Sequence, residues 1–273
     1  MVCPRGHRFD VARSGYVNLL QPQDRRSPHP GDSRAAVEAR RRFLEAGQGA
    51  PLLDALREEI GALGMAPGAA VLDVGCGEGS YLAGIASSRA VEAHGLDLST
   101  LAIELAARRY PGITWVVANA DRFLPYADGS FALILSLDAR LHAAEMRRVL
   151  TAEGRLLVAV PAPDDLVELR QAVLGEGVLK DRLPGAAARL AEGFELETRR
   201  TVRDRLRLGP AEARDALAAT YRGVRQRQRE RTAEIQEMEV TLSHDLARFR
   251  PLSPGPRLRG GTAGATRGSY PTR

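Results

Sequence analysis

Cysteine is nearly absent from this chain: Cys3 and Cys76 are the only two among 273 residues. They offer no disulfide framework and cannot by themselves close a four-ligand structural zinc site. Long apolar runs are missing too, so no segment reads as a membrane-spanning helix. The N-terminus carries no basic-then-apolar leader and no cleavage site, and the chain reads as cytoplasmic. Lysine is reduced to Lys180, so arginine supplies every other basic position. Arginine matches phosphate bidentately, though a biased base composition would also favour it. No internal repeat is present. What remains is ordinary for a soluble globular protein: 44% hydrophobic and 27% charged residues.

The charge is unevenly spread. Residues 51–198 hold 13 basic against 21 acidic side chains, residues 1–50 hold 9 against 5, residues 199–250 hold 13 against 8, and residues 251–273 hold 4 against none. An acidic centre with basic ends suggests that the flanks, rather than the core, meet a polyanion.

The first 30 residues look loop-like. Asp32 and Ser33 are N-cap candidates for a helix to about Ala46, which carries Arg40, Arg41 and Arg42. Pro51 opens a second helix to about Leu63. Strands and helices then alternate. Residues 69–74, 91–96, 113–118, 131–136 and 155–160 read as strands, and Ser99 caps a helix running to Arg109. This spacing predicts an α/β fold with a doubly wound, mostly parallel, Rossmann-like sheet. Further on, residues 164–174 and 211–237 read as helices. Residues 194–208 read as one or two strands, and 238–249 as a returning strand. The expected organisation is a small N-terminal module over 1–50, the α/β domain over 51–250, and a disordered tail over 251–273.

The strongest local signal is Val71-Leu-Asp-Val-Gly-Cys-Gly-Glu-Gly79. A glycine-rich turn between a first strand and a helix lets a nucleotide-like ligand approach the backbone. Its glycines fall at 75, 77 and 79, unlike the dinucleotide fingerprint. Asp97 ends the second strand, where a carboxylate can accept from both ribose hydroxyls or can cap the next helix. Ser136-Leu-Asp138 follows the fourth strand. Asp138 there is a candidate base, an acceptor-orienting group or a plain surface acid. No Asn-Pro-Pro-Tyr motif, which would suggest an exocyclic amine as acceptor, is present.

The glycine turn resembles the first motif of class I S-adenosylmethionine-dependent methyltransferases. The resemblance implies that Asp73, Gly75, Cys76 and Gly77 meet the methionine part of the cofactor, with Asp73 helping to hold its amino group. It also implies that Asp121, in Asn119-Ala-Asp121, meets the adenine amino group, the alternative being a solvated turn acid. Residues 124–131 and 145–154 resemble the next architectural stretches of that class, with Glu145 on a solvated helix face.

The N-terminal segments narrow the resemblance. Cys3-Pro-Arg-Gly-His7, Gly15-Tyr-Val-Asn-Leu-Leu20, residues 25–33 and residues 39–47 are together similar to the bacterial 23S ribosomal RNA guanine-N1 methyltransferases. That family implies methyl transfer to guanine N1, 23S rRNA as partner, arginines of residues 1–50 on phosphates, and pairing of two copies through the N-terminal region. It also implies zinc held by two cysteine pairs or their equivalents. Here Cys3 and His7 form one half, and the preceding Cys-x-x-Cys is absent. A longer N-terminus, a decayed module or a site shared by two subunits would each account for that. The chain also departs from the family at Gln48-Gly49 (usually His-Tyr), at Asp138-Ala-Arg140 (Tyr-Ala-Pro), at Asp165 (a histidine) and at Ala219-Thr-Tyr221 (Met-Thr-Pro). A small-molecule methyltransferase of the same fold and a non-catalytic cofactor-binding relative stand as alternatives.

Overall fold

A computed structural model describes residues 9–20, 31–175, 179–220 and 235–253. In chain order the elements are β1 (Tyr16–Asn18), α1 (Arg34–Glu45), α2 (Ala50–Ala62), β2 (Ala69–Val74), α3 (Ser80–Ala86), β3 (Val91–Asp97), α4 (Thr100–Arg109) and β4 (Thr114–Val117). They continue with β5 (Phe131–Leu137), α5 (Ala143–Val149), β6 (Leu150–Pro161), α6 (Val167–Leu174), α7 (Leu183–Leu190), β7 (Phe194–Leu208), α8 (Pro210–Thr220) and β8 (Met238–Pro251).

The eight strands form one sheet in the order β1-β4-β3-β2-β5-β6-β8-β7. All pairings from β1 to β6 are parallel, and β8 runs antiparallel to both β6 and β7. The chain leaves β2 toward β3 and β4, then returns to place β5 on the other side. That reversal opens a crevice at the carboxyl ends of β2 and β5, where such sheets bind ligands.

Both sheet faces are covered, which is why the central strands can be apolar throughout. Val71, Leu133 and Leu157 face one core with Leu56, Ile60, Leu82, Ile103 and Trp115. Leu72, Ile134 and Leu156 face the other with Met146, Val149 and Phe249. A third cluster sits under α6 and α8, built on Leu166, Leu169, Leu208, Ala216 and Val240.

The helix starts follow the sequence. Ser33 Oγ accepts from Ala36 N–H at 3.2 Å, and Ser99 Oγ from Ala102 N–H at 3.3 Å. Each such cap stabilises its helix by about 1 kcal/mol.

Several expectations change. Residues 16–18, read as loop, form the edge strand β1, whose Val17 is buried. These three residues of the expected N-terminal module are thus part of the sheet. Residues 183–190, not expected as an element, form α7, on the buried stripe Leu183, Ala186 and Leu190 with a proline in the first turn. Residues 194–208 are a single 15-residue strand, and β6 begins at Leu150, with a bulge opposite β5. The helix expected over 211–237 is described to Thr220; residues 235–237 are not helical, and residues 221–234, like the tail beyond Ser253, lie outside the described residues.

Candidate functional site

The glycine turn closes β2 directly onto α3. Gly75, Gly77 and Gly79 all take positive φ, at 80°, 57° and 83°. Their reasons differ. A Cβ at Gly79 would stand 2.3 Å from the Trp115 ring, so this glycine serves the core. A Cβ at Gly77 would meet nothing nearer than Arg40 Nε, at 3.8 Å. Space above Gly77 is thus left open by the protein, as a backbone approached by a ligand requires.

Asp73 stands under this turn. It is buried, and its Oδ1 has no hydrogen-bond partner. Burial pushes its carboxyl up to about 7, with Arg40 opposing and Asp97 and Glu78 adding to the rise. A buried, unpaired carboxylate oxygen is costly unless a donor arrives. Asp97 ends β3, and its two oxygens accept from Gly77 N–H at 3.0 Å and Ser99 N–H at 2.8 Å. Burial raises its pKa against those two hydrogen bonds. Asp97 therefore both caps the loop before α4 and ties β3 to the glycine turn, with lone pairs left on both oxygens.

Beside the turn lies an open cleft of about 690 Å³, solvent at its mouth included. Phe43, Leu44, Leu52, Leu166 and Leu242 give it an apolar lining, and Arg40, Tyr81, Asp138, Asp165, Asp204 and His244 supply its polar groups. Arg40 reaches from α1 to an ion pair with Glu78 at 3.5 Å. Burial works against its charge, but Glu78, then Asp138, Tyr81 and Asp32, raise its pKa above the ordinary arginine value. Asp138 follows β5 with φ 55°, and its Oδ2 lies 3.3 Å from His244 Nε2. Burial alone would raise Asp138, yet His244, Arg40 and Arg182 bring it below the usual carboxylate value. Burial likewise disfavours charged His244, and Asp138 followed by Asp165 reverses that and raises it.

The cleft and the turn share a wall. Ala139, next to Asp138, is so close to Gly75 that a Cβ there would lie 2.4 Å from its own.

Cys76 is a free, buried thiol inside the turn, raised well above its ordinary pKa by burial. Asp121 is half exposed and pairs with Arg140 at 3.3 Å. Glu145 is not on a solvated face. Its carboxylate accepts from Leu124 N–H at 2.7 Å and from Arg148 at 2.6 and 2.8 Å, tying α5 to the preceding loop. The arginines of α1 are engaged locally: Arg42 bonds Asp215 on α8 through two nitrogens, and Arg41 pairs with Glu45. Cys3 and His7 lie outside the described residues, and among the described residues no three potential ligands gather as a metal site.

Sequence reasoning missed Arg40 as a site residue, and also Tyr81 and His244. Of the three, only His244 carried a signal, as a histidine in a segment read as a strand. Its proximity to Asp138 depends on pairing between β6 and β8, 106 residues apart in the bond it makes.

Comparison with known proteins agrees with this architecture. Residues 71–158 match the family model described as a methyltransferase domain, and residues 1–28 match the RlmA N-terminal zinc-ribbon model. The chain is 36% identical over 260 residues to the 23S rRNA (guanine(748)-N(1))-methyltransferase of Streptomyces fradiae, covering 92% of this chain and 90% of that protein. It is 34% identical over 270 residues, with the same coverage, to a Micromonospora griseorubida protein provisionally named a 23S rRNA (guanine-N(1)-)-methyltransferase. Among solved structures, the YcgJ protein of Bacillus subtilis superposes with a TM-score of 0.53 at 16% identity, covering 74% of this chain and 98% of that one. That last likeness speaks for the fold. With the sheet order, the open glycine turn and near-full-length relatives in agreement, the chain belongs to the bacterial 23S rRNA guanine-N1 methyltransferase family and is an S-adenosylmethionine-dependent methyltransferase.

Proposed function

We propose that this chain transfers a methyl group from S-adenosylmethionine to N1 of a guanine in 23S rRNA. The observation that carries the reading is the wall shared by the open glycine turn and the cleft of Asp138, which lets a donor and an acceptor meet. The residues present fit the donor. Asp73 offers its unpartnered Oδ1 to the cofactor's amino group. Gly75, Cys76 and Gly77 would supply backbone to the methionine part, Asp97 would offer its remaining lone pairs to the ribose hydroxyls, and Asp121 would meet the adenine amino group. Bound there, the cofactor supplies an already activated methyl carbon, so the chain's own task is to orient the acceptor, exclude water and handle the N1 proton.

The acceptor base sits in folded RNA and must be captured unstacked to enter the cleft. The basic flanks would hold phosphates outside it. The zinc-ribbon match permits zinc, but Cys3 and His7 give two donors of the four needed, and Cys76 is buried in the turn.

A small-molecule acceptor is the second reading. It is favoured by the cleft itself, which is apolar and carries Asp138, Asp165 and Asp204 against Arg40 and His244. One experiment separates the two. Labelled S-adenosylmethionine is supplied with protein-free bacterial rRNA, and the modified base is mapped by reverse-transcription stops. A stop at one guanine of the large-subunit RNA is expected. Cofactor binding without labelled RNA would move the assignment to a small molecule.

A further inference from the structure

The cleft pairs Asp138, a candidate base by its place after β5, with His244, to which no motif assigns a role. Asp138 leaves β5 in the left-handed region, with its N–H fixed on Ala159 O at 2.9 Å. A non-glycine residue held there is strained and persists because its surroundings enforce it. The strain turns the side chain toward β8, where His244 Nε2 lies 3.3 Å from Oδ2. His244 has little freedom. Its strand is inserted between two others, and it pairs with Pro161 on β6 and Val202 on β7. The next residue back, Ser243, is held from the other side by Asp165 at 3.0 Å and Asp164 at 2.6 Å.

Resting on the reading that guanine N1 is the acceptor, we propose that His244 is the general base that takes the N1 proton and that Asp138 is the residue that positions it. Asp138 accepts from Nε2–H, which leaves the imidazole lone pair on Nδ1. The N1–H proton passes to Nδ1, and the N1 electron pair forms the bond to the methyl carbon. The sulfur–methyl bond breaks with its electron pair remaining on sulfur, turning the sulfonium into a neutral thioether. The imidazolium is stabilised by Asp138 and returns its proton to solvent after product leaves. His244 is the stronger base of the two, because Asp138 raises its affinity for a proton while His244 and Arg40 lower that of Asp138. Five other groups around the cleft bear on this titration. Asp165 between β6 and α6 and Asp204 on β7 are negative. Arg40 on α1 and Arg182 before α7 are positive, and Tyr81 on α3 is neutral.

The test uses the full chain and 23S rRNA, with single-turnover methyl transfer followed from pH 5.5 to 9. The wild-type rate should rise with pH to a plateau, the midpoint lying above that of free imidazole. His244→Gln should lose that limb and fall by about 10²–10⁴-fold, the usual size of a general-base contribution, at unchanged S-adenosylmethionine affinity. Asp138→Asn should move the limb to lower pH, and Asp138→Glu should restore part of the shift. NMR titration of the His244 ring gives an activity-independent reading. Its midpoint should drop in Asp138→Asn, which also serves if His244→Gln does not fold. A His244→Gln enzyme with the wild-type rate and limb, or an imidazole midpoint indifferent to Asp138→Asn, overturns the assignment of the base alone. A wild-type enzyme that labels no guanine overturns the guanine reading and this one with it.

Discussion

Gly77 and Gly79 sit two residues apart in one turn, both at positive φ, yet the structure gives them different work. Alanine at either position pays the left-handed penalty of about 1–2 kcal/mol. In Gly77→Ala that is the whole cost to the fold, because the new Cβ meets nothing nearer than 3.8 Å. At about 2–4 °C per kcal/mol for a chain of this size, Tm should fall by about 2–8 °C. Gly79→Ala adds a collision: its Cβ would lie 2.3 Å from Trp115 Cη2 and 3.1 Å from Ala106 Cβ, inside the buried core. Overpacking of that kind costs about 1–3 kcal/mol more, and the Tm loss should be clearly the larger of the two. Cofactor binding should rank the other way relative to stability. The Cβ of Gly77→Ala occupies the space where S-adenosylmethionine must approach, and its affinity should weaken at least about tenfold, or about 1.4 kcal/mol. Thermal unfolding without ligand and calorimetric titration with S-adenosylmethionine measure the two effects separately. Gly77→Ala binding within twofold of wild type would refute the cradle. Gly79→Ala as stable as Gly77→Ala would refute the packing argument.

Asp73 should make cofactor affinity depend on pH. Its carboxyl titrates near about 7 in the free protein, and only the charged form pairs with an ammonium group. Kd should therefore worsen about tenfold per unit below that pH, and Asp73→Asn should flatten the profile. The same raised pKa makes this group's contribution to folding of the free protein favourable at low pH and lost as pH rises through about 7, which unfolding midpoints in wild type and Asp73→Asn would show. Glu145→Gln should cost about 1–2 kcal/mol at neutral pH after solvent screening. Its folded pKa lies at about 2 through Arg148, so the wild-type advantage should vanish as pH falls from the ordinary carboxylate value toward about 2 in acid unfolding. RNA binding should weaken steeply with added salt in filter-binding titrations, and a flat response would count against a phosphate-contacting surface.

The parallel half of the fold was legible because its signals are local. Buried strands such as 69–74 are continuous apolar runs, Ser33 and Ser99 cap the helices that follow them, and the glycine turn announces its own conformation. What was not legible depends on partners far along the chain. Tyr16–Asn18 has no strand signature of its own and becomes one because β4 offers it an open edge. The direction of β8 follows from its insertion between β6 and β7, which no periodicity encodes. Glu145 looked solvated because the Leu124 amide that satisfies it lies 21 residues back.

The site divides along the same line, and the division bears on function. Asp73, Gly75, Gly77 and Asp97 lie within one strand–turn–helix–strand unit, and their grouping could be read before the fold was known. The acceptor cleft is assembled from α1, α2, α3, β6, β7, α8, β8 and the loops after β5 and β6, so its members look unrelated in sequence. Each stretch where the chain departs from the implied family pattern is far from the others in sequence, yet each contributes one residue to this cleft: Gln48, Asp138, Asp165 and Ala219. At Gly49 a Cβ would lie 2.5 Å from Leu44 and 2.9 Å from the Tyr81 hydroxyl, so neighbouring side chains fill the volume that a larger residue would take. Asp138 and Asp165, two of the positions where the resemblance implies other residues, both act on the charge of His244. Asp138→Tyr would therefore leave Asp165 as the acid still raising the proton affinity of His244. Because Asp138 and Asp165 both act on the one imidazole, their substitutions should combine non-additively in the midpoint of the His244 ring.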